Sequence, residues 1–292
     1  MQLLTPHNFS DYQLIDSGNF EKLEKFGNYI LARPEPQALW DKSLSATDWE
    51  KQASAVFKKE PNNPEKGQWL NKKNMPERWQ MQYPLGEKKL AFKLALSSFK
   101  HVGIFPEQAV NWDFIYEKTL QLPQNQPKIL NLFAYTGVAS LAAKLAGAEV
   151  VHVDSVKQVI SWARENMEMS KLDNIRWMVE DAMKFVQREV RRGNVYQGII
   201  LDPPAYGRGP DGEKWLLEEQ LNEMIKLCGK LLDPASHFFV LNLYSLGFSA
   251  LIAENIINTS FQQVQNPEMG ELYLSDSFGK KLPLGIFYRF HT

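Results

Sequence analysis

Lys128-Ile129-Leu130-Asn131-Leu132-Phe133-Ala134-Tyr135-Thr136-Gly137, followed by Val138-Ala139-Ser140-Leu141-Ala142-Ala143-Lys144-Leu145, decides the fold. It reads as a short apolar strand, a tight turn of small and hydroxylated residues, and an Ala-rich helix with apolar residues at helical spacing. The next apolar run, Ala148-Glu149-Val150-Val151-His152-Val153-Asp154, reads as a second strand ending in a carboxylate. Asp154 lies 23 residues beyond Asn131, close to the distance at which an acid meets the ribose of a bound nucleotide in a βαβ unit. A purely structural βαβ unit requires neither the exposed turn chemistry nor an acid at that point.

Downstream, Gly198-Ile199-Ile200-Leu201 runs into Asp202-Pro203-Pro204-Ala205-Tyr206. Two prolines lock φ, offer no N–H and push the preceding residue toward extended geometry, which stiffens the loop at the end of a buried strand. An Asp-Pro-Pro turn facing solvent is the bland alternative. Open α/β sheets bind ligands at the carboxyl ends of their strands, where this loop would sit. Strands are expected at 128–133, 149–153, 174–179, 197–202 and 236–243 with helices between them. Such alternation implies a Rossmann-like, doubly wound, mostly parallel sheet covered on both faces.

The turn also selects a cofactor. A dinucleotide site wants G-x-G-x-x-G so that backbone can approach a pyrophosphate. Here there is one glycine, Gly137, and an aromatic, Tyr135, where the approach would occur. S-adenosylmethionine has ribose and adenine but no phosphate, so the turn favours it over NAD.

These segments resemble a known family. Asn-Leu-Phe-Ala-Tyr-Thr-Gly at 131–137, Val-Asp-Ser at 153–155, Glu-Asp-Ala at 180–182 and Asp-Pro-Pro-x-Tyr at 202–206 are similar to class I S-adenosylmethionine-dependent methyltransferases. The branch resembled most holds the large-subunit ribosomal RNA methyltransferases for 5-methylcytosine and 7-methylguanine, over roughly residues 100–292. The resemblance implies that the turn, with Asn131, Phe133, Ala134, Tyr135, Thr136 and Gly137, holds the methionine end of the cofactor. Asp154 with Ser155 would meet the ribose, Asp181 with Ala182 the adenine, and Asp202 and Pro203 the transferred methyl. Each acid has a helix N-cap as its alternative role. Phe105 and Pro106 resemble a segment that lies against the cofactor. The family also implies an antiparallel last strand, consistent with a hairpin of 270–274 and 284–290 across Ser275–Gly279.

For catalysis the sequence offers Asp202, Pro203 and Tyr206. Methylation of a pyrimidine carbon needs a nucleophile, usually a cysteine thiolate. The 5-methylcytosine branch carries its cysteine after the fifth strand, where this chain reads Asn242-Leu243-Tyr244-Ser245-Leu246. The one cysteine, Cys228, lies on the apolar face of an expected helix and reads as core packing. The expected acceptor is therefore a nitrogen with its own lone pair, with exocyclic amine and ring nitrogen both open. Asp202 and the Pro203 carbonyl would orient it, and Tyr206 would stack on a planar base.

The 292 residues suffice for a domain at 98–292 and a smaller, mixed or β-rich one at 1–97. In the latter, strands are expected within 11–33 and at 79–83 and 90–94, a helix over 49–59, and a turn at Pro61-Asn62-Asn63-Pro64. Hydrophobic content of 44% and charged content of 23% describe an ordinary soluble chain. No apolar run spans a membrane, no signal peptide is legible, and one cysteine excludes an internal disulfide and a cysteine-based zinc site. The expected compartment is the cytosol, with no metal. Net charge is −1, yet residues 58–100 carry ten basic against four acidic residues, interleaved with Trp69, Trp79, Tyr83 and Phe92. Such a segment suits RNA, phosphates on the cations and unpaired bases on the rings; a solvated face over a small core is the alternative. A methyltransferase for a small planar metabolite and a non-catalytic S-adenosylmethionine-binding module are the competing functions.

Overall fold

A computed structural model of the chain describes residues 1–60, 63–72, 74–244 and 247–292. They form two compact units, one of Met1–Leu4, Val110–Leu272 and Gly285–Thr292, the other of Thr5–Ala109 and Tyr273–Leu284. The chain thus passes between units more than once, where the sequence suggests a single division at residue 97.

The strands and helices follow the chain as β1 (Gln2–Leu4), β2 (Tyr12–Gly18), β3 (Glu21–Phe26), β4 (Tyr29–Pro34), α1 (Ala46–Gln52), β5 (Ala55–Glu60), β6 (Asn63–Asn71), β7 (Arg78–Leu85) and β8 (Lys88–Ala95). A 3-10 turn at Pro106–Gln108 leads into α2 (Ala109–Gln121), β9 (Lys128–Leu132), α3 (Val138–Leu145), β10 (Glu149–Asp154), α4 (Lys157–Met169), β11 (Ile175–Val179) and α5 (Ala182–Arg191). Then come β12 (Gly198–Leu201), β13 (Tyr206–Arg208), β14 (Lys214–Leu216), α6 (Leu217–Leu231), β15 (Phe238–Leu243), α7 (Ala250–Ser260), β16 (Glu268–Ser275) and β17 (Lys281–His291).

The larger unit is built on an eight-stranded sheet in the order β1-β16-β17-β15-β12-β9-β10-β11. β11, β10, β9, β12 and β15 run parallel, and β17 runs antiparallel to β15. Every residue of β12 and β15 is buried, as expected of parallel strands covered on both faces. Leu130 and Leu132 alternate with Ile129 and Asn131 along β9, which directs the leucines into the core that α5, α6 and α7 close. On α6, Leu217, Leu221, Met224, Ile225, Cys228 and Leu231 are buried at helical spacing. Each such side chain contributes at most about 1.5–3 kcal/mol of burial, because the unfolded chain already hides part of its surface.

The smaller unit holds a five-stranded sheet, β2-β3-β4-β5-β6, and the separate hairpin β7-β8. β4 and β5 are parallel, so α1 serves as their crossover. The helix expected over 49–59 is instead α1, ending at Gln52, followed by strand β5. Ser45 caps α1, the Ala53 N–H closes on the Trp49 carbonyl, and the chain turns into β5. Val56 and Phe57 then pair with Leu70 and Trp69 of β6, where branched and aromatic side chains fit a half-buried pleat. The turn expected at Pro61–Pro64 falls partly outside the described residues. Asp16 is fully buried and receives the Leu44 N–H at 2.9 Å, the Trp49 indole at 2.8 Å and the Lys280 ammonium at 2.8 Å.

Candidate functional site at the carboxyl ends of the parallel strands

Between β9 and β12 the strand order reverses, since the chain proceeds from β9 outward to β10 and β11 and then returns to β12 on the other side. Loops leaving adjacent strands in opposite directions open a crevice at such a point. The segments at 131–137, 153–155, 180–182 and 202–206 lie at the carboxyl ends of β9, β10, β11 and β12.

The turn after β9 is conformationally unusual. Phe133 (φ 54°) and Tyr135 (φ 49°) both lie in the left-handed region, at a cost of about 1–3 kcal/mol each for non-glycine residues. The surroundings hold this geometry. The Ala134 N–H donates to the Val153 carbonyl at 3.1 Å, and the Tyr135 N–H donates to Asp154 Oδ2 at 2.9 Å. The Thr136 carbonyl accepts from the Asn166 side-chain amide at 2.9 Å, and the Thr136 side chain is buried. Gly137 (φ 87°) precedes α3, and a Cβ there would come within 3.0 Å of Ala163 Cβ and 3.3 Å of the His152 ring. Glycine is needed both for its backbone angle and for the close approach of α3 to its neighbours.

Asn131 faces the other way. It is 2% exposed, and its amide donates to Ser140 Oγ at 2.9 Å, which in turn lies 3.0 Å from His152 Nδ1. This buried polar row supports the turn from beneath. Burial holds His152 down at about 3, so the row is neutral at physiological pH.

Asp154 ends β10. Besides Tyr135, it accepts the Val156 N–H on Oδ1 at 2.9 Å. Burial raises its carboxyl above the usual range, against the lowering effect of the N–H groups of Val156, Tyr135 and Ser155. Ser155 is half-buried beside it, and Val156 is 46% exposed, an apolar side chain left open at this strand end. Asp181 caps α5 by accepting the Lys184 N–H at 2.9 Å, while Glu180 is engaged by Arg188. The cap alternative is thus occupied at Asp181, and the adjoining Ala182 is buried. Phe105, in the smaller unit, meets the His101 ring at 5.1 Å just before the 3-10 turn.

At the end of β12, Asp202 is half-buried and its Oδ1 accepts from the Asn242 side-chain amide at 2.9 Å. Burial raises the Asp202 carboxyl to about 6, with Asn242 pulling it down. Pro203 is buried and Pro204 exposed. The Pro204 carbonyl accepts the Trp215 indole N–H at 2.7 Å, and the Trp215 ring packs on Phe133 at 4.8 Å. One buried tryptophan therefore ties the two-proline loop to the turn after β9. The loop continues into the β13-β14 hairpin, where Tyr206 is 53% exposed and its hydroxyl accepts from Arg208 Nε at 2.8 Å. Cys228 is fully buried inside α6, and burial pushes its thiol up to about 12.

The structure thus joins Phe133, Ala134, Tyr135, Thr136 and Gly137 with Asp154, and links that group through Trp215 to the loop of Asp202 and Pro203. Sequence reasoning passes over Trp215, Asn242, Val156 and the Ser140–His152 pair. The cue for Asn242 is its place, a polar residue one position before the end of a fully apolar strand. Among the described residues no group of three or more potential metal ligands occurs, and no helix is long and apolar enough to cross a membrane.

A parallel sheet that reverses at β9 and β12, with a strained turn and two carboxylates at its strand ends, defines the Rossmann-like class of nucleoside-cofactor proteins. Within it, the chain belongs to the S-adenosylmethionine-dependent methyltransferase family, whose pattern residues 42–261 match. S-adenosylmethionine is accordingly its cofactor. A solved S-adenosylmethionine-dependent methyltransferase from Agrobacterium tumefaciens is 38% identical, with a TM-score of 0.91 over 100% of this chain and 93% of that one. A putative methyltransferase from Streptococcus mutans shares the fold at 16% identity, with a TM-score of 0.72 over 98% of this chain and 76% of that one.

Among curated proteins, the ribosomal RNA large subunit methyltransferase K/L of Shewanella frigidimarina is 29% identical over 49% of this chain and 20% of its own length. A putative ribosomal RNA large subunit methyltransferase of Methanocaldococcus jannaschii is 33% identical over 37% of this chain and 30% of its own length. The matched part therefore spans under a third of these relatives.

Proposed function

We propose that this protein methylates a nitrogen atom of an RNA base, with ribosomal RNA the favoured acceptor, and does so without a cysteine nucleophile. The observation that carries the reading is the acceptor end of the crevice. There Asp202 stands on a two-proline loop beside an exposed Tyr206, while the chain's one cysteine is buried with its thiol pushed up to about 12. A thiol in that state supplies no thiolate near neutral pH, so a pyrimidine carbon has no activator. The relatives named as ribosomal RNA methyltransferases support RNA as the substrate class.

The residues fit the cofactor. The turn over 131–137 offers polar backbone to an amino-acid end, without the glycine-rich approach that a pyrophosphate demands. Asp154 retains lone pairs for ribose hydroxyls, and exposed Val156 provides an apolar surface for a flat base. Asp181 keeps one carboxylate oxygen beyond its cap for the adenine edge, beside Ala182. When bound, S-adenosylmethionine supplies an electrophilic methyl on a sulfonium.

This chain's own task is orientation. Asp202 Oδ2 and the Pro203 carbonyl accept hydrogen bonds from the acceptor and aim its lone pair, and Tyr206 stacks on the base plane. The Pro204 carbonyl is already taken by Trp215, which leaves Pro203 as the loop's outward acceptor. A base within a helix must first be flipped out.

Residues 98–292 carry the transfer, and residues 1–97 help to hold RNA through the cations of segment 58–100 rather than its rings, since Trp79, Tyr83 and Phe92 are buried in the core. Neutralising Lys72, Lys73, Lys88 and Lys89 together should weaken RNA binding and flatten its salt dependence while cofactor affinity stays unchanged. Lys73 itself lies outside the described residues. The reading is tested by incubating the protein with labelled S-adenosylmethionine and RNA from cells lacking the gene, then analysing nucleosides by mass spectrometry. A methylated base nitrogen is expected. A mark on a pyrimidine carbon, or none on RNA, overturns the reading. The second reading, a small planar metabolite, draws on the net charge of −1 and gains from the latter outcome.

A further inference from the structure

We propose that Asn242 is the positioning residue of the acceptor end, a clamp that fixes the direction of the Asp202 carboxylate and keeps it in its charged form. The inference rests on the reading that Asp202 faces the methyl acceptor.

Four observations converge on it. Asn242 lies in β15, one residue before its end, and Asp202 directly follows β12, the neighbouring parallel strand. The Asn242 amide is 3% exposed and its Nδ2 donates to Asp202 Oδ1 at 2.9 Å. Its own Oδ1 is buried with no hydrogen-bond partner among the described residues. Among the described residues no charged side chain bears on Asp202: burial raises its carboxyl, and Asn242 alone lowers it.

The orphaned oxygen shows what the side chain is for. A buried amide with an unmet acceptor is a poor choice for a strand that is otherwise Phe238, Phe239, Val240, Leu241 and Leu243, and a leucine would fill the space without that cost. What leucine cannot do is donate to a carboxylate. The donation also fixes which way the amide faces. Turned over, it would set Oδ1 against Asp202 Oδ1, an arrangement tenable only with a proton between the two oxygens. Amide orientation and carboxyl charge are therefore coupled: Nδ2 toward Asp202 selects the anion. With Oδ1 of Asp202 taken by Asn242, Oδ2 is the oxygen left to receive an acceptor's N–H or to sit opposite a sulfonium.

The test separates the clamp from the placement of Asp202. With Asp-labelled protein free of cofactor, the 13C carboxyl shift of Asp202 is titrated by NMR and assigned with Asp202→Asn. A wild-type midpoint near 6 is expected. Asn242→Leu should raise it by about one pH unit, because a hydrogen bond to the charged form is lost. Asn242→Ser, which keeps a smaller donor, should fall between and serves if the leucine variant does not fold. A purely structural Asn242 would lower the melting temperature and leave the midpoint unmoved, and that result overturns the clamp.

The second arm compares the affinities for S-adenosylmethionine and S-adenosylhomocysteine from pH 5 to 7.5 by calorimetry, since one carries the sulfonium charge and the other does not. The preference for the cation should grow by about tenfold as Asp202 ionises. In Asn242→Leu the rise should come at higher pH. A shifted midpoint in the first arm with a pH-independent preference in the second supports the clamp and overturns the placement of Asp202 at the methyl.

Discussion

Asp154 and Asp202 terminate two parallel strands of one sheet, and burial raises both, yet they are held by different means. Asp154 receives the backbone N–H groups of Tyr135 and Val156, so its position is written into the chain path around it. Asp202 receives one side-chain amide, from Asn242, and burial lifts it further, to about 6. A carboxylate bound by backbone has a direction that substitutions elsewhere leave alone. One bound by a side chain is adjustable, in direction and in charge, by a single replacement. On the proposed reading, the cofactor end of the crevice is built for constancy and the acceptor end for tuning.

The largest expected effect falls on the residue that connects the two ends. Trp215 is buried, packs on Phe133 and donates to the Pro204 carbonyl, so Trp215→Ala should cost about 3–5 kcal/mol in urea denaturation. Trp215→Phe should recover most of the stability while leaving that carbonyl unmet. A stability loss below 1 kcal/mol for the alanine variant would mean that the two ends are not joined through this ring.

Asp154→Ala comes next. The loss of ribose contacts, added to two backbone N–H groups left unpaired, should weaken S-adenosylmethionine by about ten- to hundredfold, or roughly 1.5–3 kcal/mol. Unchanged affinity in a folded variant would remove Asp154 from the cofactor end.

Asp202→Asn should act in the opposite direction on stability. The folded value of Asp202, about 6, lies above the ordinary aspartate value of 3.8, so the folded protein retains a proton that the unfolded chain releases between those limits. Its contribution to stability therefore falls as pH rises from about 4 to 6 and stays low above. Asp202→Asn should stabilise the protein by about 1–2 kcal/mol at pH 8 and hardly at all at pH 4, after allowance for partial exposure, while methyl transfer is lost. Chemical denaturation at the two pH values decides it. An equal change at both would leave the charge out of the account.

The smallest effect belongs to Cys228→Ala. It should cost about 1 kcal/mol of packing and leave turnover near wild type once the acceptor is known. Loss of a covalent RNA adduct in that variant would break the contrast altogether, because the chemistry would then lie in α6.

The sheet was legible because its parallel strands are buried on both faces and so appear as uninterrupted apolar runs. The runs at 128–133, 149–153, 174–179, 197–202 and 236–243 match β9, β10, β11, β12 and β15 to within two residues at either end. Short or charged strands left no such trace. β13 and β14 have three residues each and include Arg208 and Lys214, and β1 is known only by its partner β16, far along the chain. The stretch 49–59 shows the limit of local pattern, since the pairing of Val56 and Phe57 with β6 overrides any helical reading. Within the crevice, residue types at strand ends revealed Asp154 and Asp202, but not the directions in which side chains turn. Asn131 points beneath α3, and Asp181 spends an oxygen on its helix. Beyond its polarity in an apolar run, nothing local in the sequence marks Asn242, because its meaning lies in a neighbour forty positions away in the chain.

The division of the chain between units has a consequence for biosynthesis. Lys280 and Asp276 belong to the same unit as residues 5–109, and the Lys280 ammonium reaches the carboxylate of fully buried Asp16. A ribosome adding roughly 5–20 residues per second needs about 10–35 s to travel from residue 109 to residue 284. Throughout that interval the nascent sheet of β2 to β6 carries a buried acid whose counter-ion has not been made. A fragment cut at residue 109 should retain the same defect, a buried Asp16 without the Lys280 ammonium.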